Sequence, residues 1–372
     1  MGQSPDSKSY NEAKEGIPFF QGNADFGERY PITRVWCNAP TKIAQKDDIL
    51  ISVRAPIGAL NYAKETCCIG RGLAAITPNK TKVSTEFIFW LLKGKNNELN
   101  SLGTGSTFKA ISKKVLEETK VPDISLEKQT AYSNILEKLY FIITHRRTQL
   151  EKLDLLVKAR FVEMFGDPFD TTKWTVKKLK DVSVSMIDGS NIDTKYYEVN
   201  GDVLFLRIQN VWKNEFKLDD SVYISQEINE KYYYDTSLKN GDLLITKIGR
   251  YYTRDSSLGR VSVYRGKDNS ANYSNNIMCV RLSNSMNSEF TNILLNLDDY
   301  QSFIKRTSKG GTDKRALSKS LIGSYPIIVP PLELQTQLAD FVKQVDKSKV
   351  AVQKELDKAQ MLFDSLMQEY FG

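Results

Sequence analysis

The chain has 372 residues, 41% hydrophobic and 26% charged, and is long enough for two globular domains with separate cores. Its 52 basic and 45 acidic residues leave a net charge of +7, which suits a polyanionic partner. No run approaches eighteen apolar residues and the N-terminus lacks the apolar core of a signal peptide. These features exclude a membrane-spanning helix and make a cytoplasmic location the expectation.

Residues 1–122 form a first segment that predicts a globular domain of short strands. Glycine and asparagine turns separate its apolar runs, and helical periodicity is weak. The run DDILIS at 47–52 predicts a turn followed by a buried strand. Cys37, Cys67 and Cys68, with Cys279 further on, have neither C-x-x-C spacing nor the density of a disulfide scaffold. We therefore expect reduced thiols and no metal site.

A long helix is predicted over residues 123–166, where apolar side chains recur every seven positions. This spacing is typical of one coiled-coil seam position, and Leu139 and Leu153 occupy the other. Arg146 and Arg160 interrupt the stripe. The seam residues are Leu136, Ile143, Leu150 and Val157.

A second globular segment, 167–328, precedes a second predicted helix at 329–372. The run NGDLLIT at 240–246 resembles the run at 47–52. The second helix continues the heptad phase, with Lys349 as an interruption, and its seam residues are Val345, Val352, Leu356 and Phe363. Two helices of about 40 residues, each about 60 Å long, are expected to pair as an antiparallel coiled coil. In the alternative, each stripe packs on its own globular segment, but the matched phase favours pairing.

An internal repeat organises the chain. A shift of 206 residues aligns 103–166 with 309–372 without a gap, and 14 of the 64 aligned positions are identical. The identities cluster at KAISK (109–113) with RALSK (315–319), at LEKQT (126–130) with LELQT (332–336), and at EMFG (163–166) with EYFG (369–372). Each half therefore ends in the same module. The fold class predicted is α+β with a pseudo-two-fold internal repeat.

At this point the chain resembles the specificity subunits of type I restriction-modification systems over nearly its full length. The resemblance rests on MGQSP at 1–5, GIPFFQG at 16–22, the strands of Gly-Asp-Leu-Leu-Ile type, the Pro-Pro-Leu-Glu helix start and FVEMFGD at 161–167. It implies two globular α/β target recognition domains, 1–122 and 167–328, separated by conserved spacer helices. Each domain would read one half of a split, asymmetric sequence in double-stranded DNA.

The same resemblance implies partners for the chain. Two adenine-N6 methyltransferase subunits would dock on the helices, and restriction and translocase subunits would supply cleavage. S-adenosylmethionine, ATP and Mg are expected on those subunits, with no cofactor or metal bound by this chain. The chain itself is expected to be non-catalytic.

One departure from the family concerns the first domain. The second domain begins with KWTVKKLKDV at 173–182 and reaches SMIDG at 185–189. Matching Gly2 to Gly189 leaves 173–188 mostly without a counterpart. Either Met1 is an internal start or the first domain lacks its leading strand, and N-terminal truncation is the hypothesis.

Basic and amide side chains are the candidate DNA contacts. Arginine pairs with guanine, asparagine or glutamine with adenine, and lysine suits phosphate. Ahead of the second helix, six cations stand against Asp313 alone between 305 and 319. The candidates in the second domain are Gln209, Asn210, Lys247, Arg250, Tyr251, Arg254, Lys309, Lys314 and Arg315. Those in the first are Gln21, Asn23, Arg54, Lys64, Arg71 and Lys109. A solvated charged loop is the alternative for the cationic runs, and asparagine also serves turns.

No catalytic constellation is evident. The single histidine, His145, falls within the first heptad helix and cannot form a nucleophilic triad. Asp123 and Glu127 lack nuclease spacing and lie at a helix start, where carboxylates are favourable. The run GTGST at 103–107 lacks the layout of a phosphate-binding loop. A stand-alone DNA-binding regulator with two readers and a coiled-coil scaffold for protein interactions remain the alternative functions.

Overall fold

The computed structural model describes residues 1–105, 109–170 and 172–372. The chain divides into two compact units. The first unit contains residues 1–150 and 351–372, and the second contains residues 151–350. Both unit boundaries fall inside long helices, so each unit contains part of each helix. Among the described residues, no helix is long and apolar enough to cross a membrane. The domain limits predicted at 122, 166 and 328 stay predictions.

The first unit is built mainly from short antiparallel strands followed by helices. Its elements, up to the helix that continues into the second unit, are β1 (Tyr10–Asn11), β2 (Ile17–Phe20), β3 (Val35–Cys37), β4 (Ile43–Ala44), β5 (Ile49–Ser52), β6 (Leu60–Tyr62), β7 (Cys67–Ile69), β8 (Leu73–Ile76), α1 (Thr85–Gly94), α2 (Asn96–Ser101), α3 (Lys113–Glu117) and α4 (Leu126–Phe165). The strands form two sheets, ordered β1-β3-β2-β7-β4 and β6-β5-β8.

The second unit follows a related plan with additional strands. Its elements are β9 (Val176–Lys178), β10 (Ser183–Asp188), β11 (Val203–Leu206), β12 (Val222–Ile224), α5 (Gln226–Ile228), β13 (Leu243–Thr246), β14 (Ile248–Arg250), β15 (Val261–Val263), β16 (Ala271–Tyr273), β17 (Ile277–Leu282), α6 (Ser288–Asn296), α7 (Asp298–Thr307), β18 (Lys309–Gly310), β19 (Lys314–Ala316), α8 (Lys319–Gly323), β20 (Pro326–Ile328) and α9 (Leu332–Phe371). Its sheets are ordered β10-β17-β13-β15, β12-β11-β16, β14-β19-β18 and β20-β9.

Corresponding strands in the two units pair in the same way. The buried strand β5 pairs antiparallel with β6 and β8, as β13 does with β15 and β17. The parallel pair β2–β7 corresponds to β11–β16. The turn-and-strand runs at 47–52 and 240–246 lead into β5 and β13, every residue of which is buried, so that prediction is confirmed. The repeat therefore extends into segments whose sequences have diverged.

Two glycines occupy equivalent close approaches in the two units. A Cβ on Gly2 would lie 2.2 Å from the carbonyl oxygen of Gly70, and one on Gly189 would lie 2.2 Å from that of Ser274. Their amides donate to Leu73 and to Ile277. Only glycine lets the backbone come this close. The match of Gly2 with Gly189 drawn from the sequence is therefore also a structural match.

The long helices α4 and α9 pack together within each unit. In the first unit the early part of α4 shares a core with the late part of α9, and in the second unit the late part of α4 shares a core with the early part of α9. This order makes the pair antiparallel and confirms the predicted fold class. Leu136, Ile143, Val345, Val352, Leu356 and Phe363 are buried, and Leu150 and Val157 are half-buried.

Charged residues that interrupt the apolar heptad pattern of the long helices, such as Lys349 and Arg160, make polar contacts. Lys349 on α9 donates to Asp154 on α4 over 2.6 Å. The Arg160 guanidinium contacts Glu163 at 2.8 Å and lies 5.9 Å from the centre of the Phe341 ring. His145 is exposed on α4, and its ring stacks on Phe141.

Each long helix has a buried glutamine in its first turn, Gln129 in α4 and Gln335 in α9. The hydrogen bonds of these two side chains explain why the repeat has the same residue at both positions. The side-chain oxygen of Gln129 accepts from the Ser84 amide at 2.9 Å, and that of Gln335 accepts from the Asn287 amide at 2.8 Å. Ser84 and Asn287 are the N-caps of α1 and α6. Buried amide groups need such partners. The glutamines thus anchor each long helix to the short helix of its unit.

A cationic and aromatic cluster lies where α1 meets α4 in the first unit. The Arg29 guanidinium lies 4.6 Å from the Tyr140 ring centre and 5.0 Å from that of Trp90, and it is paired with Glu137. The Lys93 ammonium lies 4.2 Å from the Tyr140 ring centre. Burial lowers the pKa of Lys93 to about 8. The cluster therefore holds a lysine whose charge is partly desolvated.

The depressed Lys93 pKa predicts a rise in stability with pH. In the unfolded chain Lys93 keeps its ordinary pKa of 10.5, so between about pH 8 and 10.5 the unfolded state binds more protons than the folded state. The stabilising contribution grows through that window and is absent below it. Urea midpoints of the first unit at pH 7.5, 8.5 and 9.5 measure it, and Lys93→Met is expected to flatten the rise. An identical slope in the variant would contradict this interpretation.

Candidate nucleic-acid interface

A small sheet in the second unit unites two basic clusters that lie far apart in sequence. We call β14, β19 and β18 the basic arm, and its paired residues include Arg250 with Lys314 and Gly249 with Arg315. Lys309 pairs with Ala316 on the outer strand. Arg250, Lys309 and Lys314 are exposed. The arm therefore presents a compact group of cations, the arrangement expected of a phosphate-binding surface.

The centre of the arm is ordered by Asp313 and Arg315. The Asp313 carbonyl accepts from the Tyr251 amide at 2.7 Å, and its carboxylate lies 3.8 Å from the Arg250 guanidinium. The Arg315 guanidinium lies 5.1 Å from the Tyr251 ring centre. Its Nε is buried without a hydrogen-bond acceptor among the described residues. Arg250 has a side chain 75% exposed, so it extends into solvent further than Arg315, which is half-buried.

The other predicted residues near the arm differ in their availability. Arg254 is exposed on the turn after β14. Lys247 has a side chain only 16% exposed, and its ammonium is 2.6 Å from Asp188. An ion pair of this kind competes with a phosphate for the same cation. Lys247 is consequently the less available of the two for a ligand.

In the first unit, two candidates meet at the end of the parallel pair β2–β7. Gln21 directly follows β2, Arg71 lies two residues beyond β7, and both are exposed. Ser4 joins them: its hydroxyl lies 3.0 Å from the Gln21 side-chain nitrogen and accepts from the Arg71 amide at 3.3 Å. Three polar residues from separate parts of the sequence thus lie together at the end of these strands, and we call this group the polar edge.

The same edge in the second unit contains residues that the sequence did not single out. Arg207 follows β11 as Gln21 follows β2, and Asn275 lies two residues beyond β16 as Arg71 does beyond β7. The Arg207 guanidinium lies 3.2 Å from the Asp220 carboxylate. Aligning VLFLR at 203–207 with IPFFQ at 17–21 would have identified Arg207. The weak identity of these runs concealed the match.

Asn210 is a correction to the predicted interface. Its side chain is 0% exposed. The Asn210 amide donates to Lys217 and to Asp220, both at 2.9 Å, and its oxygen accepts from the Arg207 amide. Its hydrogen-bonding groups therefore hold a turn, the role that asparagine often has in loops. Gln209 beside it is exposed and donates to Asp220 at 3.2 Å.

The first unit has a reduced counterpart of the basic arm. Arg54 and Thr104 each form a bridge with Ala110, and the Lys109 carbonyl accepts from the Ala55 amide at 3.0 Å. Arg54 and Lys109 are both exposed on these two paired segments. Ser106 and Thr107 of the glycine-rich run lie outside the described residues.

Lys113 and Lys114 correspond in the repeat to the end of the cationic run at 305–319. Their ammonium groups are paired with Glu117 and Glu118, at 3.3 and 3.7 Å.

The two remaining candidates of the first unit are less closely associated with these surfaces. Lys64 is exposed on the turn between β6 and β7, and Asn23 is half-buried in a 3₁₀ turn after β2. Within the described parts of the chain, neither side chain forms a hydrogen bond or ion pair with another candidate. Both stay predictions.

The cysteines are free and buried, and burial raises the pKa of the Cys67 thiol to about 12. A protonated, enclosed thiol is a poor nucleophile and a poor metal ligand. Across the described ranges, no group of three or more histidine, cysteine, aspartate or glutamate side chains is placed to hold a metal ion.

The described residues form a duplicated fold of helices and sheets, with polar residues at equivalent strand ends and the two long helices in antiparallel contact. The model of the type I restriction modification DNA specificity domain matches residues 2–153 and 171–359. The chain belongs to this family.

Known proteins resemble the chain in sequence and in fold. A putative type I restriction enzyme specificity subunit, MjaX, from Methanocaldococcus jannaschii is 46% identical over 154 residues, covering 41% of this chain and 36% of that protein. The MjaIX specificity subunit from the same organism is 28% identical over 235 residues, covering 55% and 53%. The chain thus spans about a third and about half of these two relatives. The S subunit of M. genitalium shares the fold, with a TM-score of 0.57, 15% identity and coverage of 100% and 92%.

Proposed function

We propose that the chain is the DNA-recognition subunit of a type I restriction-modification complex and reads a split, asymmetric target. The observation that carries the proposal is the repeated polar edge: Gln21 and Arg71 occupy in the first unit the positions of Arg207 and Asn275 in the second. One scaffold with different side chains gives two readers of different sequence. Glutamine favours adenine, whereas arginine favours guanine.

In this proposal the basic arm supplies affinity and the polar edges supply sequence preference. Contacts from lysine and arginine to phosphate position a protein on DNA without reading it. Lys309 and Lys314 are exposed and Arg315 is packed against Tyr251, which suits backbone contact. The Arg250 side chain extends from the arm into solvent, and it is the candidate there for a base contact. In the first unit, Lys109 would contact phosphate and Arg54 would be the candidate for a base contact.

The chemistry would belong to other chains of the complex. Two adenine-N6 methyltransferase subunits would use S-adenosylmethionine, and restriction subunits would use ATP and Mg. The chain would bind none of these cofactors. Co-purification from source cells tests the assembly: a methyltransferase should accompany the chain. Specific DNA binding by the chain alone would instead support a stand-alone regulator, and recovery without any salt-dependent DNA affinity would support a scaffold.

Replacing Arg250 by alanine is expected to relax the sequence preference in one half of the target, at a cost of about 1–3 kcal/mol against the preferred sequence. Sequencing N6-methyladenine in cells that carry the variant measures the change. One half of the methylated motif should become degenerate while the other half is retained. An unaltered motif would remove Arg250 from the reader residues.

Replacing Arg315 by alanine is expected to weaken binding to all sequences and to reduce the slope of log K against log salt by about 1. Titrations of specific and random duplexes between about 50 and 200 mM salt measure this slope. Lys267→Ala is the control because Lys267 is exposed on the turn between β15 and β16, outside the arm. A loss confined to the specific duplex would contradict a phosphate role.

A further inference from the structure

Two turns of the second unit contain proposed DNA contacts. Residues 207–220, which we call the edge turn, follow β11 and include Gln209. Residues 251–258, which we call the arm turn, follow β14 and include Arg254. Gln209 and Arg254 are both exposed. Because both turns would contact the same duplex, their relative position decides whether their side chains can bind it together.

A buried cation, Arg260, contacts both turns. The residue is only 6% exposed. Its guanidinium donates to the Ser256 carbonyl at 2.9 Å and also to the Asp255 carbonyl, both in the arm turn. It donates to the Val211 carbonyl of the edge turn at 3.4 Å. Among the described residues, the partners of this guanidinium are thus carbonyl oxygens and, in addition, one aromatic ring.

The aromatic ring is that of Trp212 in the edge turn. The Arg260 guanidinium lies 3.8 Å from the ring centre, and the Lys217 ammonium lies 3.6 Å from it. A cation over an indole face is attracted by its π electrons, most strongly where water is excluded. The indole N–H donates to the Gln209 carbonyl at 2.9 Å. The contact therefore fixes Trp212 and, through it, the backbone of a candidate reader of adenine.

The arm turn is itself packed on the basic arm. A Cβ on Gly249 of β14 would lie 2.3 Å from the Leu258 backbone nitrogen, an approach that requires glycine. Gly249 in turn pairs with Arg315 of β19. Because the arm turn is held against these strands, Arg260 joins the edge turn to the basic arm as a whole.

The matching position of the first unit holds an alanine. The Arg260 amide donates to the Thr246 hydroxyl at 2.9 Å, and the Ala59 amide donates to the Ser52 hydroxyl at the same distance. Thr246 and Ser52 end the corresponding central strands β13 and β5. Ala59 therefore occupies the place of Arg260, and its methyl group cannot donate a hydrogen bond. A link through this position is specific to the second unit.

We propose that Arg260 is a positioning residue for DNA recognition, which holds the edge turn and the basic arm in one arrangement so that the second unit binds its half of the target with both. The inference rests on the proposed function. Arg260 is buried and would not touch DNA. Its planar fork donates to carbonyls of both turns while its face lies on Trp212, a combination that the single ammonium of lysine cannot provide. Groups held in place before binding lose less entropy on binding.

Hydrogen exchange of the full chain measures this link without DNA. Arg260→Met is expected to raise exchange at least about tenfold in both turns, because it removes hydrogen bonds from a charged donor to each of them. The Lys217 amide of the edge turn and the Ser256 amide of the arm turn are suitable probes, since both donate within their own turn. Faster exchange in one turn alone would overturn the proposal.

Replacing Trp212 separates the contacts to the two turns. Trp212→Leu removes the ring and its N–H and should raise exchange of the edge turn about tenfold. The arm turn should keep its protection, because Arg260 still donates to its carbonyls. Trp212→Phe retains a ring face for the cation and should restore most of the protection. Unchanged exchange of the edge turn in Trp212→Leu would contradict the proposal.

Sequencing of N6-methyladenine in cells that carry Arg260→Met measures the effect on recognition. One half of the methylated motif should become degenerate while the other half is retained. Asp242→Ala is the control for lost stability. Asp242 is buried in the same unit but precedes β13, whereas the Arg260 amide is bound at the last residue of that strand. The control should keep the motif, and equal degeneracy in both variants would overturn a positioning role.

The two measurements distinguish failure of this proposal from failure of the proposed function. Cells with the unaltered chain that have no methylated motif dependent on it would contradict the proposed function, and the exchange results would still decide whether Arg260 joins the two turns. A motif that depends on the chain and is unaltered by Arg260→Met would overturn the positioning role alone.

Discussion

Replacing Trp90 by alanine is expected to destabilise the first unit by about 3–5 kcal/mol, because the change removes a fully buried aromatic side chain and leaves a cavity. The indole contacts the rings of Phe89, Tyr140 and Phe363, with centre-to-centre distances of 5.5, 5.6 and 5.6 Å. These neighbours belong to α1, α4 and α9. The cavity would therefore open where the short helix meets both long ones.

Urea unfolding followed by circular dichroism measures the effect, and hydrogen exchange of β5 assigns the change to the first unit. Trp90→Phe is the matched control. The indole N–H has no acceptor among the described residues, so phenylalanine removes volume without breaking a hydrogen bond. We expect this variant to lose less than about 2 kcal/mol. A loss below about 1 kcal/mol for Trp90→Ala would contradict the packing described for this helix junction.

Replacing Asp242 by alanine is expected to cost the second unit about 3–5 kcal/mol. The Asp242 side chain is 1% exposed and accepts two hydrogen bonds from Arg281, at 2.8 and 2.7 Å. It also accepts from the Lys239 amide at 2.7 Å, which closes the turn before β13. Removing the carboxylate leaves the cation and the amide without their partner in a region of low dielectric constant.

A surface pair in the same unit provides the control for Asp242. Arg265 donates two hydrogen bonds to Glu289, at 2.7 and 2.6 Å, so the geometry is equally bidentate. The side chains are 49% and 30% exposed. Glu289→Ala should therefore cost at most about 1 kcal/mol. Urea denaturation of both variants at one salt concentration gives the comparison. Equal losses would show that burial does not decide the strength of the Asp242 pair.

The duplicated architecture separates stability from recognition. The residues that match between the units, such as the helix-anchoring Gln129 and Gln335, are buried and serve folding. The residues that differ, such as Gln21 and Arg207 after equivalent strands, lie at loop edges, where Gln21 is exposed and Arg207 is half-buried beside Asp220. Changes at the edges can alter the DNA sequence that is read with little effect on the core, because surface substitutions rarely change stability by more than about 0.5 kcal/mol.

Sequence alone determined the repeat, the two long helices and the family of this protein. Heptad spacing and clustered identities can be read directly along the chain. They are present because each position of a buried seam must pack against a residue of the partner helix. The buried strands at 49–52 and 243–246 were recognisable for the same reason. The basic residues of the arm were also visible, as two separate clusters around 250 and 315.

Tertiary structure alone decided which of those residues meet and which are available. Strand pairing brings Arg250 beside Lys314, and the parallel strands place Arg207 and Asn275 at one edge, although neither residue belongs to a sequence motif. It also places Asn210 in the interior. Pairing register and burial depend on contacts between residues far apart in sequence, and a charge or an amide carries no local signal of whether it will face solvent or hold a turn.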